Sequence, residues 1–500
     1  MLPAIVAIAA ALRFATLGLQ SFDADEAFTV HLARLPLGDM LSQIPKTESM
    51  PPLHYVLAWA WTRVVGSGEI GIRSLSALCG TLTVPIIYAA ARVAFSRRAG
   101  LIAAAIATVN PILVWYSQEA RPYALLLLFS AASLYYFLRA REQPSPRLLL
   151  GWAVCAGLAL VSHYFAVFVV VPEAAWLVWR THPRRPAILA CLLPTAVAIA
   201  LAPLAYAQRN PGIGWFTKFR AALESSLGSR LIRLPRELLL GFKEPTGKVA
   251  AGMLVVLSLY GLTALARDRD RRLRAIAVVI ASVAATAFLV PIAAALLGPK
   301  FDFVDTRNLL GGWVPVLVLV AGGLAVARRG MVPAAVFVAV SMAMVLAVAT
   351  DPAYQRPDAR DALAALGRPQ TPRMVLFTGG PDLLVADYVA DALPIQPVAR
   401  VGEIDVVALP AGSSAQAPSL SQLSAPVSGF SLAGRRVEQR FTLLRFTART
   451  PKSVVARELI PGNWKGWTRA DLGSDPELVL FMEYPPALCG PRLRCVDGQP

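Results

Sequence analysis

Charge and cysteine are both scarce in this chain. Only 16% of its 500 residues are Asp, Glu, Lys or Arg, where a soluble protein carries about 25%. Hydrophobic residues reach 56%, with a mean hydropathy of +0.56. A soluble globule of that composition would face water with large apolar patches. The shortage of charge therefore argues against a soluble enzyme and for a polytopic membrane protein. It also excludes disorder over most of the length, because disordered segments are poor in apolar residues. Five cysteines are too few for a disulfide-stapled scaffold. Cys79, Cys155 and Cys191 lie in apolar runs and read as core or lipid-facing residues. Cys489 and Cys495 can form one small disulfide if the C-terminal end is extracytoplasmic. The sequence has no Walker A loop, dinucleotide fingerprint, zinc-ligand spacing or nucleophile elbow, which argues against ATP-driven work and nucleotide-cofactor chemistry.

Long apolar runs are abundant. A transmembrane helix needs about 20 mainly apolar residues, and eleven segments qualify, at roughly 2–20, 72–91, 99–117, 121–138, 148–163, 165–179, 187–207, 249–266, 275–297, 309–327 and 331–349. The first has no basic n-region and no clear cleavage site before Phe22, so it reads as an uncleaved span. Arginine clusters fall on every second loop: Arg92, Arg97 and Arg98; Arg139, Arg141 and Arg147; Arg180, Arg184 and Arg185; Arg267 to Arg274; Arg328 and Arg329. The positive-inside tendency makes those loops cytoplasmic. The N-terminus is then cytoplasmic, and the loops 21–71 and 208–248 and the tail 351–500 are extracytoplasmic. The net charge of +17 sits in the hydrophobic part: residues 1–350 hold 32 basic and 16 acidic residues, the tail 16 and 15. That placement favours membrane topology over nucleic acid.

Loop 208–248 carries eight basic residues against three acidic ones. Long loops translocate regardless of charge, or this charge has a task. In the first outer loop, Pro51 to Val65 is too short to span and carries Trp59 and Trp61, which suits a helix lying in the interface. The tail reads as a soluble α/β domain. Arg360–Leu366 and Leu383–Ala392 are helix-like, Arg373–Thr378 and Asp405–Leu409 strand-like, and 411–427 a linker or flexible loop. The expected architecture is an all-α polytopic membrane domain of about eleven helices (1–350) and a C-terminal extracytoplasmic α/β domain (351–500).

Three polar groups fall on the outer face. Asp23, Asp25 and Glu26 follow the first span; clustered carboxylates raise one another's pKa or bind a cation, and one can act as a general base toward a hydroxyl. The alternative is a solvated acidic cap at a helix end. Glu119, Arg121 and Tyr123 lie between spans three and four. Arg121 can clamp a phosphate, with Glu119 orienting it, or the pair is purely internal. Lys300, Asp302, Asp305 and Arg307 precede span ten, the cations suited to phosphate and the carboxylates to a sugar, or the run is a solvated turn. His163 and Tyr164 fall on the same side, and Arg13 lies inside span one, snorkelling or pointing into the same cavity. A carboxylate, several cations and a lipid-adjacent position suggest an anionic lipid substrate.

Asp25-Glu26, Pro51-Pro52-Leu53-His54-Tyr55, Gly68 to Ala77 and Gln118 to Tyr123, in this order, resemble the GT-C membrane glycosyltransferases. More narrowly, they are similar to bacterial relatives of protein O-mannosyltransferases and lipid A aminoarabinose transferases. Thr306-Arg307-Asn308-Leu309 matches that family's late loop more loosely. The resemblance implies a multi-pass protein of the bacterial plasma membrane that uses a polyprenyl-phosphate sugar donor, mannose-like or arabinose-like. The acceptor is an unspecified protein, glycan or lipid. It implies Asp25 and Glu26 as catalytic, Asp25 as the base, and Arg121 in the cavity. Relatives often carry Lys or His before the Pro-Pro, where this chain has Met50; His54, Arg73, Lys300 or Arg307 then serve as substitutes toward the donor phosphate. No cofactor is required, although Asp25 and Glu26 offer the hard oxygen ligands that suit Mg²⁺ or Mn²⁺. The reading from another functional class is a transporter or flippase of a lipid-linked sugar. Its broken spans with midplane charges contrast with charges clustered at one face. A third reading is a scaffold whose tail binds partners.

Overall fold

The computed structural model describes the chain apart from residues 223–225, 243–246, 379–381, 390–391, 395, 411–419, 421–424, 460–477 and 486–500. Cys489 and Cys495 lie outside the described residues, as does most of the 411–427 linker. The chain divides into two compact units, one of Met1–Gly18 with Leu32–Ala349, the other of Leu19–His31 with Thr350–Pro500.

The larger unit is helical. Among the described residues, seven helices are long and apolar enough to cross a membrane: Glu69–Ala94, Tyr123–Glu142, Arg185–Arg209, Lys248–Ala266, Arg271–Leu296, Thr306–Val326 and Met331–Thr350. The pair Arg97–Val109 and Pro111–Ser117, bent by 59°, makes an eighth if counted as one span. Leu2–Phe14, Pro146–Ser162 and Val167–Arg180 are shorter. Each of the eleven apolar segments overlaps one of these helices, although the first, read as 2–20, is helical only to Phe14, and the chain is a multi-pass membrane protein. The 59° bend has a local cause. Pro111 removes a backbone donor, and Asn110 Oδ1 caps the next helix by accepting from the Leu113 amide at 3.3 Å. Asn110 Nδ2 then donates to the Leu238 carbonyl at 3.0 Å.

Segments 21–71 and 208–248 are largely helical rather than open loops. The first holds helices Ala24–Arg34, Leu37–Thr47 and Leu53–Val65, the last matching the apolar Pro51–Val65 stretch. In the second, the Arg185–Ala222 helix continues past the apolar run and Leu227–Leu240 follows.

The smaller unit carries a six-stranded mixed sheet. Its strands are β1 (Arg373–Thr378), β2 (Leu393–Pro394), β3 (Val398–Ala408), β4 (Ser431–Val437), β5 (Thr442–Val455) and β6 (Leu478–Glu483). The spatial order is β2-β6-β1-β3-β5-β4, with β1 and β3 parallel and the other pairs antiparallel. Central β1 is buried along its whole length, as expected for an inner strand covered on both faces. Register creates a buried charge network: Arg373 stands opposite Glu403 on β3 and Glu483 on β6, and Asp405 opposite Arg445 on β5. Arg373 bonds Glu483 at 2.7 Å and the carbonyls of Leu366 and Gly367 at 2.8 and 2.6 Å. Burial pushes Asp405 up to about 7 against the pull of Arg445. Arg373→Met leaves these carboxylates without their central cation, a change that costs about 3–5 kcal/mol. Thermal unfolding of the full-length variant, followed by the near-ultraviolet signal of the sheet unit, is expected to show that loss.

Candidate active site

The acidic run after the first span is the start of the Ala24–Arg34 helix, and its own residues form a capping box. Asp23 Oδ1 accepts from the Asp25 amide at 2.8 Å, and Glu26 Oε2 accepts in return from the Asp23 amide at 3.1 Å. Sequence reading offered a cap ending a helix; the cap instead begins one. Glu26 is fully buried and pairs with the buried guanidinium of Arg356, Nη1 to Oε2 at 2.7 Å. The same segment is stitched to the post-membrane stretch by Arg356 N to Gln20 Oε1 (2.8 Å), Ser21 Oγ to the Pro357 carbonyl (3.0 Å) and Phe22 N to Tyr388 Oη (2.6 Å). Burial pushes Asp23 above the usual carboxylate range; Arg356 opposes this, and Asp25 and Glu26 add to it. Asp25 contributes its amide to the box and is half-buried.

In the larger unit, Arg121 is buried and pairs with buried Glu48, Nη1 to Oε2 at 3.0 Å. Tyr55 Oη donates to the same Glu48 oxygen, and the Arg121 guanidinium lies 5.9 Å from the Tyr55 ring centre. His54 packs edge-on against Tyr55 at 5.6 Å. Burial, followed by the charge of Arg121, lowers the His54 pKa to about 3, so His54 is neutral at working pH. The Glu119 carbonyl accepts from the Arg121 amide at 2.8 Å. Tyr123 is buried between Tyr116 and His163, with ring centres 4.6 and 5.9 Å away.

His163 is fully buried in the field of both Arg307 and Arg121. Its Nδ1 accepts from the Phe165 amide at 3.2 Å, so a neutral ring carries its proton on Nε2. Among the described residues that Nε2 has no hydrogen-bond partner. His54, Arg121, Tyr123, His163 and Arg307 are thus linked by ring contacts and shared electrostatic fields.

Other sequence candidates are committed elsewhere. Arg13 is buried and bonds Ser117 Oγ (3.1 Å) and the carbonyls of Ala9, Thr108 and Ala107 (3.2, 3.1 and 3.0 Å). It joins the first helix to the bent pair rather than snorkelling. Arg73 is buried and donates to the Leu17 carbonyl at 2.8 Å. Lys300 is exposed in a single turn, Pro299–Phe301. Asp302 is gripped by both terminal nitrogens of Arg230, and Thr306 donates to Glu237. The basic Leu227–Leu240 helix is therefore clamped onto the 302–306 turn. Arg307 bridges its neighbour Asp305 at 3.5 Å. Tyr164 Oη donates to Gln208 Oε1 at 2.6 Å, and Gln208 Nε2 bonds the carbonyls of Ile44 and Met50. Among the described residues no group of three or more His, Cys, Asp or Glu side chains is arranged to hold a metal ion.

Three residues escaped the sequence reading. Glu48 stands three residues before Pro51, and Arg356 follows the last apolar run within Gln355-Arg356-Pro357-Asp358. Each was visible as a charge beside a motif or boundary. Gln208 had no such signal.

No curated protein matches the chain in sequence. Among solved structures, ArnT from Cupriavidus metallidurans bound to undecaprenyl phosphate is 15% identical, with a TM-score of 0.47 over 88% of this chain and 97% of its own. The oligosaccharyltransferase of Archaeoglobus fulgidus is 13% identical, with a TM-score of 0.47 over 73% of this chain and 55% of its own. The S. cerevisiae protein O-mannosyltransferase Pmt1–Pmt2 complex is 21% identical, with a TM-score of 0.30 over 43% and 33%. In sequence, residues 49–206, which contain the Pro51–Tyr55, Gly68–Ala77 and Gln118–Tyr123 runs, match the family described as dolichyl-phosphate-mannose-protein mannosyltransferase.

Proposed function

We propose that this protein is a membrane glycosyltransferase that moves a mannose-like or arabinose-like sugar from a polyprenyl-phosphate donor to an acceptor hydroxyl on the extracytoplasmic face. The observation that carries this reading is the helix start itself: the capping box engages Asp23 and Glu26, and Glu26 is further held by Arg356, which fixes the first turn on which Asp25 stands. The match of residues 49–206 to a family named for a polyprenyl-linked mannose donor supports the donor class.

In this mechanism the Asp25 carboxylate takes the acceptor's hydroxyl proton. The acceptor oxygen attacks the anomeric carbon from the face opposite the phosphate. The bond from that carbon to the phosphate oxygen breaks, its electron pair leaves with polyprenyl phosphate, and the configuration inverts. Arg121 and Arg307 stabilise the departing phosphate, an electrostatic contribution that is usually the largest in such reactions. Glu26 and Asp23 position Asp25 by fixing the helix start. A divalent ion suits this acidic run poorly: Glu26 and Asp23 are already engaged, where Mg²⁺ takes about six oxygen ligands. No step is routed through one.

The test supplies a labelled polyprenyl-phosphate sugar to membranes containing the protein. The expected result is label on an acceptor together with stoichiometric free polyprenyl phosphate. Movement of intact donor across the bilayer without release of polyprenyl phosphate would replace this reading with a lipid-linked sugar transporter.

A further inference from the structure

Three arginine clusters that orient the chain in sequence converge in space. The Tyr123–Glu142 helix ends with Arg139 and Arg141, the Val167–Arg180 helix ends at Arg180, and Arg271–Leu296 opens with Arg271 and Arg272. Their ends flank an open cleft of about 520 Å³ lined by Arg141, Glu142, Gln143, Arg180, Arg272 and Ile276. That volume lies within the range of small-ligand pockets, about 300–1,000 Å³.

The cleft's charge is unbalanced. Three guanidinium groups face one carboxylate, Glu142, which bonds Arg272 at 2.8 Å in a largely exposed pair of little worth in itself. Arg141 is half-buried facing the charges of Arg180 and Arg272, and among the described residues its buried Nε has no hydrogen-bond partner. Arg180 stacks on Trp179 at 4.8 Å and on Trp176 at 6.0 Å. Tryptophan concentrates where membrane meets water, so the cleft lies at headgroup level.

The wall distinguishes a lipid from a free anion. Ala275 also lines the cleft, and Val278, 62% exposed, follows one turn later on the same helix. An apolar strip thus leads from the guanidinium cluster down the face of a membrane-crossing helix. We propose that this cleft binds an anionic phospholipid, its phosphate held by Arg141, Arg180 and Arg272 and an acyl chain lying along Ala275 and Val278. Basic pockets between membrane helices are a recurring form of lipid headgroup site. This assignment is independent of the proposed catalytic activity.

The experiment measures lipid retained by the purified full-length protein by native mass spectrometry after titration with phosphatidylglycerol, phosphatidylcholine or inorganic phosphate. Wild type is expected to retain phosphatidylglycerol over phosphatidylcholine, and to lose it as ionic strength rises. The Arg141→Gln, Arg180→Gln double variant, which leaves the Arg272–Glu142 pair intact, should lower phosphatidylglycerol retention roughly thirtyfold with phosphatidylcholine unchanged. Should that variant fail to fold, the lipid preference and salt dependence of wild type still decide. Equal retention of the two lipids by wild type, or equal phosphatidylglycerol retention by a folded variant, overturns the proposal. Displacement of the lipid by millimolar inorganic phosphate also overturns it, in favour of a free-anion site.

Discussion

Asp25→Asn is expected to reduce sugar transfer by roughly 10²–10⁴-fold, the usual contribution of a positioned general base, with little change in stability. The asparagine keeps the shape and the backbone amide that the capping box uses, and removes the capacity to take a proton. Glu26→Gln separates the two roles. Glu26 is fully buried and paired with Arg356, so neutralising it removes the carboxylate bonded to a buried guanidinium, at a cost of about 3–5 kcal/mol. Its activity should fall together with thermal stability, and the Glu26→Gln, Arg356→Met double variant should regain stability. The measurements are initial rates from a labelled polyprenyl-phosphate sugar and thermal unfolding of the same preparations. An Asp25→Asn protein with wild-type turnover sinks the assignment of the base, whatever Glu26→Gln does.

How legible this was in the sequence depended on the range of the interaction. Apolar runs and the strand Arg373–Thr378 follow from local composition and fall on helices and on β1, whereas the 59° break at Pro111 lies inside the run 99–117, which reads as one span. The capping box was legible too, since Asp23-x-x-Glu26 is its acidic form, but carboxylate clustering drew attention to chemistry first. The partners of the buried charges were not legible. Glu26 finds Arg356 across 330 positions, Arg121 finds Glu48 across 73, and Arg13 finds carbonyls near residue 108. Such pairs are set by packing and register, which one sequence does not state. Desolvation explains why they are obligatory: a buried ion without a partner is far more costly than one exposed. The same reasoning applies to the candidate cations. Arg230, Arg73 and Arg13 have protein partners, as do Arg121 with Glu48 and Arg307 with Asp305, and Arg121 and Arg307 also bear on the buried His163.

Arg121 allows the second large effect to be separated from folding. Arg121→Ala alone leaves Glu48 buried without its cation, so lost activity in that variant would not distinguish phosphate stabilisation from collapse of the local structure. The double variant Arg121→Met, Glu48→Gln removes both charges at nearly constant volume, and replacing a buried pair in this way is often neutral for stability. It should keep the Tyr55 hydroxyl bonded to the residue 48 side chain and unfold near the wild-type temperature. Transfer should nevertheless fall roughly 10²–10³-fold, the scale on which preorganised electrostatic groups act on developing charge. The loss should lie in kcat more than in KM, because the charge on the leaving phosphate grows as its bond to the sugar breaks. A stable double variant with undiminished kcat would assign Arg121 to the architecture of the helix junction and leave Arg307 as the cation on the leaving group; a further fall on Arg307→Gln in that background would establish it.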